Sequence, residues 1–495
     1  MSSKIEAWGL SRALRQGRAI LAVGRAKFFR DLSVLVGGQI AAKLSGFLAF
    51  AYLARRLDPE AYGSVEFIVG LTGFFSTMAD LGLGTIGVRH AAAAAPDERS
   101  LFAAQISVIR FCSAFLCALV MIISVSTASV SPILHGLVLF YATSLLLEAW
   151  YQEWLLQSAA LMAQVAFAQM LRMSVFCLVI VLLVRDSGDA LLVGWGEIAA
   201  VAAAAAYSLY VQQHRIAPIR FLASVKTKDL IREAIPVGLS SAVWAASLYA
   251  PLLLMGAIVG GSDTGIFASA YRLVTSIGAF TFIYHFNLYA AAARAAAEDH
   301  TALVALMRNS FRVVAWVTIG GALGLSLAAA PILGIVFGPE FESAAPVLAI
   351  MIWTVPVMFL FWHVRWSLIL SKLERHVFFA QVSGLVTVGV LGVVLVHSFA
   401  GIGAAAAGLA GNLAVLGTYH LLALLKKVPV PPLSLAVKPL TLALVLLFCA
   451  QALALDPWVG ACAALVIYVF SAPFLDRALL SSAHASADTT KRQVP

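Results

Sequence analysis

The feature that most limits how this chain can fold is a succession of apolar runs, each about 20 residues long, that starts near residue 32 and ends near residue 475. A bilayer core about 30 Å thick takes about 20 helical residues to cross, so each run has the length of one membrane span. In hydrocarbon every backbone N–H and C=O must be satisfied internally, and unbroken apolar runs without strand-like alternation satisfy them as α-helices. The solvent is expected to be lipid, because with 62% hydrophobic and 12% charged residues a water-soluble fold of 495 residues could not cover its surface with polar side chains. Spans are expected near 32–54, 64–88, 101–127, 132–156, 161–184, 189–211, 234–260, 265–290, 309–336, 344–370, 377–398, 401–425, 438–455 and 457–475. The expected fold is an all-α polytopic membrane protein of about 14 transmembrane helices.

The positions of Lys and Arg orient it. With a cytoplasmic N-terminus, inside segments collect about 24 of the 33 Lys and Arg, about three (Arg55, Arg56, Arg185) fall outside, and the rest lie within spans. Both termini are therefore expected in the cytoplasm. The net charge of +9 needs no nucleic acid, since topology accounts for the excess. Arg12, Arg15, Arg18, Arg25, Lys27 and Arg30 interrupt every apolar stretch before Asp31, so no cleavable signal is expected. The segment reads either as an amphipathic helix dipping Leu10, Leu14, Ile20 and Leu21 into headgroups or as a basic tail that fixes topology. After Pro473 the chain turns polar and Ser/Ala-rich, and it is expected to be mobile.

Several chemistries find no footing. Cys112, Cys117, Cys177, Cys449 and Cys462 all fall inside expected spans without CxxC spacing and read as packing residues. The histidines are scattered, so neither a metal site nor a catalytic residue is expected. No nucleotide-binding or nucleophile-elbow motif followed by a soluble α/β unit occurs. The longest internal connection, His214 to Arg232, is about 20 residues, too short for the catalytic loop of a membrane polymerase or ligase. Chemistry is left to the helix bundle, where transporters keep theirs.

The chain also repeats. Leu57-Asp58-Pro59-Glu60-Ala61-Tyr62-Gly63 joins the first and second spans, and Val259-Gly260-Gly261-Ser262-Asp263-Thr264-Gly265 joins the seventh and eighth, so that Gly63 aligns with Gly265. Six spans separate the two units, which relates the halves by an axis along the membrane normal and puts a substrate cleft between them. The expected division is a basic segment 1–31, an N-terminal bundle 32–211, a linker 212–233, a C-terminal bundle 234–425, an extra helix pair 426–475 and a tail 476–495, the two six-helix bundles being pseudo-symmetric.

Leu53-Ala54-Arg55-Arg56-Leu57-Asp58-Pro59-Glu60-Ala61-Tyr62-Gly63, then Asp80-Leu81-Gly82-Leu83-Gly84 and Arg89, resembles the opening signature of the polysaccharide transporters. These are the O-antigen and exopolysaccharide flippases of the multidrug/oligosaccharidyl-lipid/polysaccharide (MOP) exporter superfamily. Glu153-Trp154-Leu155-Leu156-Gln157 and Phe337-Gly338-Pro339-Glu340-Phe341 extend the match in order over about residues 30–425. The resemblance implies a non-enzymatic carrier in the bacterial inner membrane. It would move an undecaprenyl-pyrophosphate-linked oligosaccharide from the cytoplasmic to the periplasmic leaflet by alternating access, among membrane lipids and without a bound cofactor. A polysaccharide polymerase and a chain-length regulator are its candidate protein partners.

The charges inside the spans suit such a cargo. Lys43 lies about 16 Å into the first span with Gln39 and Gly46 on its face, and Arg172 is similarly deep in the fifth, beyond easy snorkelling. Together with Arg110 and Arg272 they are expected to line one cationic cavity that neutralises a pyrophosphate through charge-assisted hydrogen bonds. Arg312 and Arg365, nearer the inner surface, read as snorkelling. Trp244 and Tyr249, with Ser247, Tyr151, Gln152 and Trp362, are candidates to meet sugars, against ordinary packing as the alternative. In the second span Glu66, Gly70, Gly73, Thr77, Asp80 and Gly84 form one small, polar stripe. Glu66 and Asp80, with Glu148 and Glu197, are expected to couple transport to a proton or sodium gradient; the alternative for Asp80 is a cap, or a pair with Arg89. Competing readings are a lipid II flippase or a multidrug exporter of the same superfamily, a membrane polymerase or ligase, and a fourteen-span major facilitator. The basic character of the deep charges disfavours the drug exporter, and short loops disfavour the enzymes.

Overall fold

The computed structural model describes residues 36–127, 131–218, 227–298 and 300–478. The basic segment 1–31 with its amphipathic face, most of the tail 476–495 and the middle of the linker 212–233 lie outside the described residues. Among the described residues the chain is helical throughout, with no strand. Twelve helices are long and apolar enough to cross a membrane, or thirteen when one bent pair is counted as a span.

Helix starts follow the sequence chemistry. In α2 (Pro59–Asp80) the Asp58 side chain accepts the Ala61 N–H at 2.8 Å and Pro59 occupies the first turn, where its missing N–H costs nothing. Ser131 and Pro132 open α5 (Pro132–Glu148) in the same way, as do Asp456 and Pro457 for α18 (Pro457–Leu475). The expected first span 32–54 appears as α1 (Val36–Arg56) within the described residues.

Five expected spans are broken helices, including the ninth, which breaks at Ala328, and the tenth, which breaks at Ile352 and Trp353. The second ends at Leu81 and Gly82, both left-handed at φ 51° and 79°, and resumes after a 43° bend as α3 (Leu83–Ala93). The fourth stops at Glu148 and resumes as α6 (Glu153–Ser158). The eighth divides at Ala279 into α10 (Gly261–Gly278) and α11 (Phe280–Glu298). Non-helical backbone at such depth persists where protein or a cavity surrounds it.

Between these run α4 (Pro96–Thr127), α7 (Met162–Leu183), α8 (Leu192–Val211) and α9 (Thr227–Ile258). Beyond them come α12 (His300–Leu327), α13 (Ala329–Val336), α14 (Ala345–Met351) and α15 (Thr354–Leu370), then α16 (Glu374–Leu425) and α17 (Ser434–Ala452). The 52-residue α16 is non-helical at Ala400 (φ 45°) and covers the two expected spans 377–398 and 401–425. Its arms fold back on each other: a Cβ on Gly403 would meet the Val396 nitrogen at 2.9 Å, and Ser383 meets Thr418 at 2.9 Å.

Side chains on the outer faces are large and apolar, including Leu48, Leu116, Val317, Phe448 and Phe474, as a helix facing lipid requires. The cysteines differ from expectation: Cys112, Cys449 and Cys462 are exposed among these outward residues, and only Cys117 and Cys177 pack against the core. The C-terminal pair α17/α18 docks on α12, where Gly320 and Gly324 admit Tyr468 and Leu465. Arg312 pairs there with Asp476 at 3.2 Å, so it is a tether between helices and not a snorkelling cation.

Candidate functional site

The two aligned glycines mark where α2 crosses α10. A Cβ on Gly63 would come within 2.6 Å of the Gly265 nitrogen, so the backbones touch and no side chain fits between them. At the same end Arg55 donates from Nε to Val336 O at 3.1 Å and also bonds Ile335 O, capping the last carbonyls of α13. Phe337 and Phe341 are fully buried there, edge-on to Phe47 and Tyr62. At the opposite end the α2/α3 break meets α9, where Gly82 approaches Gly238 and Glu233 bonds both Arg89 and His90.

Between these two ends lies a cavity of about 860 Å³. Nine of the expected site residues line it: Gln39, Lys43, Glu66, Glu148, Tyr151, Arg172, Glu197, Tyr249 and Arg272. Glycines let its walls close in. A Cβ on Gly73 would collide with the Tyr249 ring, and one on Gly70 would come within 2.9 Å of Leu252, so the small stripe of α2 is where α9 approaches.

The charges are paired. Arg272 donates from Nε to Glu66 Oε1 at 2.8 Å and from its second nitrogen to Oε2 at 2.6 Å, a bidentate fork onto a carboxylate only 1% exposed. Its guanidinium also lies 3.7 Å from the centre of the Phe50 ring. Arg172 reaches Glu197 at 2.8 Å and Glu148 at 3.2 Å, and Ser76 donates to the other Glu148 oxygen. Lys43 has no hydrogen-bond or ion-pair partner among the described residues. The cavity thus sets three cations (Lys43, Arg172, Arg272) against four carboxylates (Glu66, Glu148, Glu153, Glu197), of which Glu153 accepts from Gln157 and Gln169. The two sets expected separately, one for cargo and one for a coupling ion, share the cavity, and both of its arginines are paired with carboxylates. Among the described residues the Tyr141 hydroxyl and Arg172 Nε, both on cavity-lining residues, have no hydrogen-bond partner.

Three expected residues lie elsewhere. Arg110 and Asp80 pair with each other at 3.3 Å away from the lining; Arg110 also donates to Tyr151 O at the α5/α6 break, and Asp80 caps the Gly84 N–H of α3. Asp80 does not meet Arg89, which binds Glu233. Trp244 packs edge-on against Phe282 at 5.9 Å, behind the cavity wall. Gln152 is buried against Ser107. Arg365 does not snorkel: its guanidinium lies over Trp362 at 4.3 Å. Sequence spacing missed one cluster, the contact of His285 with His363 at 3.1 Å, which only tertiary packing creates.

The sequence matches the family described as Polysaccharide biosynthesis protein over residues 28–284, just over half of the chain. No curated protein matches. The fold is similar to a structure described as Lipid II flippase MurJ in an inward closed conformation, with a TM-score of 0.73 at 12% identity over 90% of this chain and 100% of that one. It is also similar to a multidrug resistance MATE family transporter of the MOP superfamily. The inward-facing form gives a TM-score of 0.61 at 12% identity, over 79% of this chain and 94% of that one. The outward-facing form gives 0.56 at 13%, over 80% and 95%.

Proposed function

This chain belongs to the polysaccharide biosynthesis protein family within the MOP superfamily, and from that premise we propose that it is a flippase for undecaprenyl-pyrophosphate-linked oligosaccharides. It moves the lipid-linked repeat unit from the cytoplasmic to the periplasmic leaflet of the bacterial inner membrane by alternating access, supplying O-antigen or exopolysaccharide assembly. The observation that carries this reading is the cavity in which Lys43, Arg172 and Arg272 meet polar and aromatic side chains. A pyrophosphate leaving water needs its charges replaced, and guanidinium forks do so with bidentate hydrogen bonds. Gln39 and Tyr249 on the cavity lining offer hydrogen bonds to sugars, while the polyprenyl tail stays in the bilayer.

Pairing gives the site its coupling. Because Arg172 and Arg272 are already paired at rest, an arriving pyrophosphate competes with Glu148 and Glu197 for Arg172 and with Glu66 for Arg272. The released carboxylates bind protons or sodium, which ties cargo entry to cation entry. A polymerase and a chain-length regulator are the partners that would receive the product.

The test is surface-polymer export in cells carrying Lys43→Ala or Arg172→Ala. Each loses a charge-assisted contact of about 1.5–3 kcal/mol, roughly ten- to hundredfold in binding. Export should fall while protein levels hold, and Arg172→Lys should rescue only in part because a point charge lacks the fork. Wild-type export by both alanine variants would defeat the reading. The likeness in fold to the lipid II flippase favours peptidoglycan precursor as the second cargo, which complementation of a strain depleted of its own lipid II flippase would reveal.

A further inference from the structure

A second buried polar constellation lies in the C-terminal bundle. His285 on α11 and His363 on α15 are both wholly buried (0% exposed), with His285 Nε2 3.1 Å from His363 Nδ1. Each Nδ1 lies 2.8 Å from a carbonyl four residues earlier, Thr281 O for His285 and Phe359 O for His363. A carbonyl only accepts, so both Nδ1 atoms carry a hydrogen, and the partners fix the tautomers. The His363 Nδ1–H is shared between Phe359 O and His285 Nε2, a three-centre bond. His363 Nε2 then accepts from Ser310 Oγ at 2.8 Å, and Ser310 Oγ accepts from the Tyr284 hydroxyl at 2.6 Å. The hydrogen bonds therefore run one way, Tyr284 to Ser310 to His363 to His285, with both rings neutral.

The start of this chain is accessible from a cavity. Tyr284 lines a cavity of about 490 Å³ with Phe280, Asn287 and Phe359, and Ile283 belongs to both this cavity and the central one. The titratable and charged neighbours are few: Tyr284 on α11, Arg365 on α15, which lies over the Trp362 ring beside His285, and Tyr419 on α16, facing Arg365. From α12 only the Ser310 hydroxyl bonds the pair, with Phe311 edge-on to His363. Among the described residues no carboxylate bonds either imidazole. The pair thus lacks an oppositely charged partner of the kind that Glu66, Glu148 and Glu197 have in the central cavity. An ionisable pair held inside a membrane bundle without a structural counter-charge is the arrangement expected of a relay.

We propose that the His285–His363 pair is a proton-binding site that biases the transporter between its two access states. A proton from the aqueous phase attaches to the Tyr284 oxygen while the tyrosine's own proton moves to Ser310 Oγ. Ser310 gives its proton to His363 Nε2, leaving one imidazolium hydrogen-bonded through Nδ1 to the neutral His285. Each O–H or N–H bond that breaks is replaced by one that forms, and no bond to carbon changes. A second proton is excluded, because two charged rings 3.1 Å apart repel. When His363 passes its Nδ1 proton on to His285 Nε2, the charge moves to α11 and repels Arg365 on α15, favouring a state in which α11 moves from α15. Because α11 continues α10 across the Ala279 break, that movement reaches the helix carrying Arg272.

The proposal uses the transporter reading only for its consequence, and its test needs no cargo. The full chain, with its native cysteines replaced and spin labels at Gly188 and Ser262, is placed in phosphatidylethanolamine/phosphatidylglycerol nanodiscs. The distance distribution is measured between about pH 8 and about pH 5. Two populations should exchange weight as pH falls, and His285→Gln and His363→Gln should each abolish the exchange. If those variants do not fold, Tyr284→Phe and Ser310→Ala keep both rings and should slow the response after a pH jump. A wild-type distribution indifferent to pH, or a response kept in both histidine variants or undelayed in both hydroxyl variants, would overturn the proposal. Loss of export in the Lys43 and Arg172 variants would leave the flippase reading standing in that case. Unaffected export with a working pH response would defeat that reading instead.

Discussion

At the scale of single residues the cavity departs from a simple anion trap. Desolvating an arginine is expensive unless a carboxylate or a ligand compensates it, so the resting protein supplies Glu66 to Arg272 and Glu148 and Glu197 to Arg172. Competition of this kind has a sign that plain electrostatic attraction lacks. Replacing Glu148 and Glu197 together by Gln frees Arg172 from its competitors and should tighten binding of undecaprenyl pyrophosphate to the purified protein, by roughly tenfold for one such contact. The same change should flatten the pH dependence of binding, which under competition is expected to strengthen toward acid in the native protein as displaced carboxylates take up protons. Equilibrium binding at two pH values decides it: unchanged affinity and unchanged pH response in the double variant would refute competition. Arg110 belongs to another class. It holds Asp80 and the Tyr151 carbonyl at a helix break, so Arg110→Ala should lower protein stability and leave affinity alone.

Among the helices, the close approaches carry the architecture. Gly265 packs against the Pro59 carbonyl so closely that an added methyl has no room, and the neighbour is backbone that cannot rotate away. Gly265→Ala should therefore cost about 1–3 kcal/mol by overpacking. Gly417, whose added Cβ would meet nothing within 4 Å, should accept alanine without loss. Thermal unfolding of the two purified variants makes the comparison, and equal midpoints would show that the α2/α10 crossing tolerates separation. Much at this scale was readable beforehand. The Gly63/Gly265 alignment named two residues that the fold brings together, and Asp58-Pro59 carries helix-start chemistry, although the second span was expected only from residue 64. The breaks at Ala149–Gln152 and Ala279 were hidden, because apolar residues continue across them and hydropathy does not register backbone direction. The ion pairs were hidden for a related reason. Depth along a helix placed Arg172, Glu148 and Glu197 inside the membrane, but only the rotation of each helix decides which side chains face one another. His285 and His363 belong to the same blind spot, 78 residues apart with no shared motif.

Across the whole molecule, charge is distributed by end. Arg55 and Arg185 lie at the end where α1 meets α13 and where Asp58 N–H bonds Ser187. Because α16 folds back at Ala400, its two ends emerge on one side, which puts Lys372 and Arg375 beside Lys426 and Lys427. Each crossing reverses the chain, so the end bearing Gly338, after α12 and α13, is opposite the end bearing Lys426. By the positive-inside rule, the excess of Lys and Arg at that second end predicts that it faces the cytoplasm. Reporter fusions after Gly338 should therefore read periplasmic and fusions after Lys426 cytoplasmic. The pair is chosen because an error in counting crossings between them would make the two reporters agree, whereas an inverted protein would exchange them. Either outcome would overturn the orientation and reverse the leaflet from which the central cavity draws its cargo.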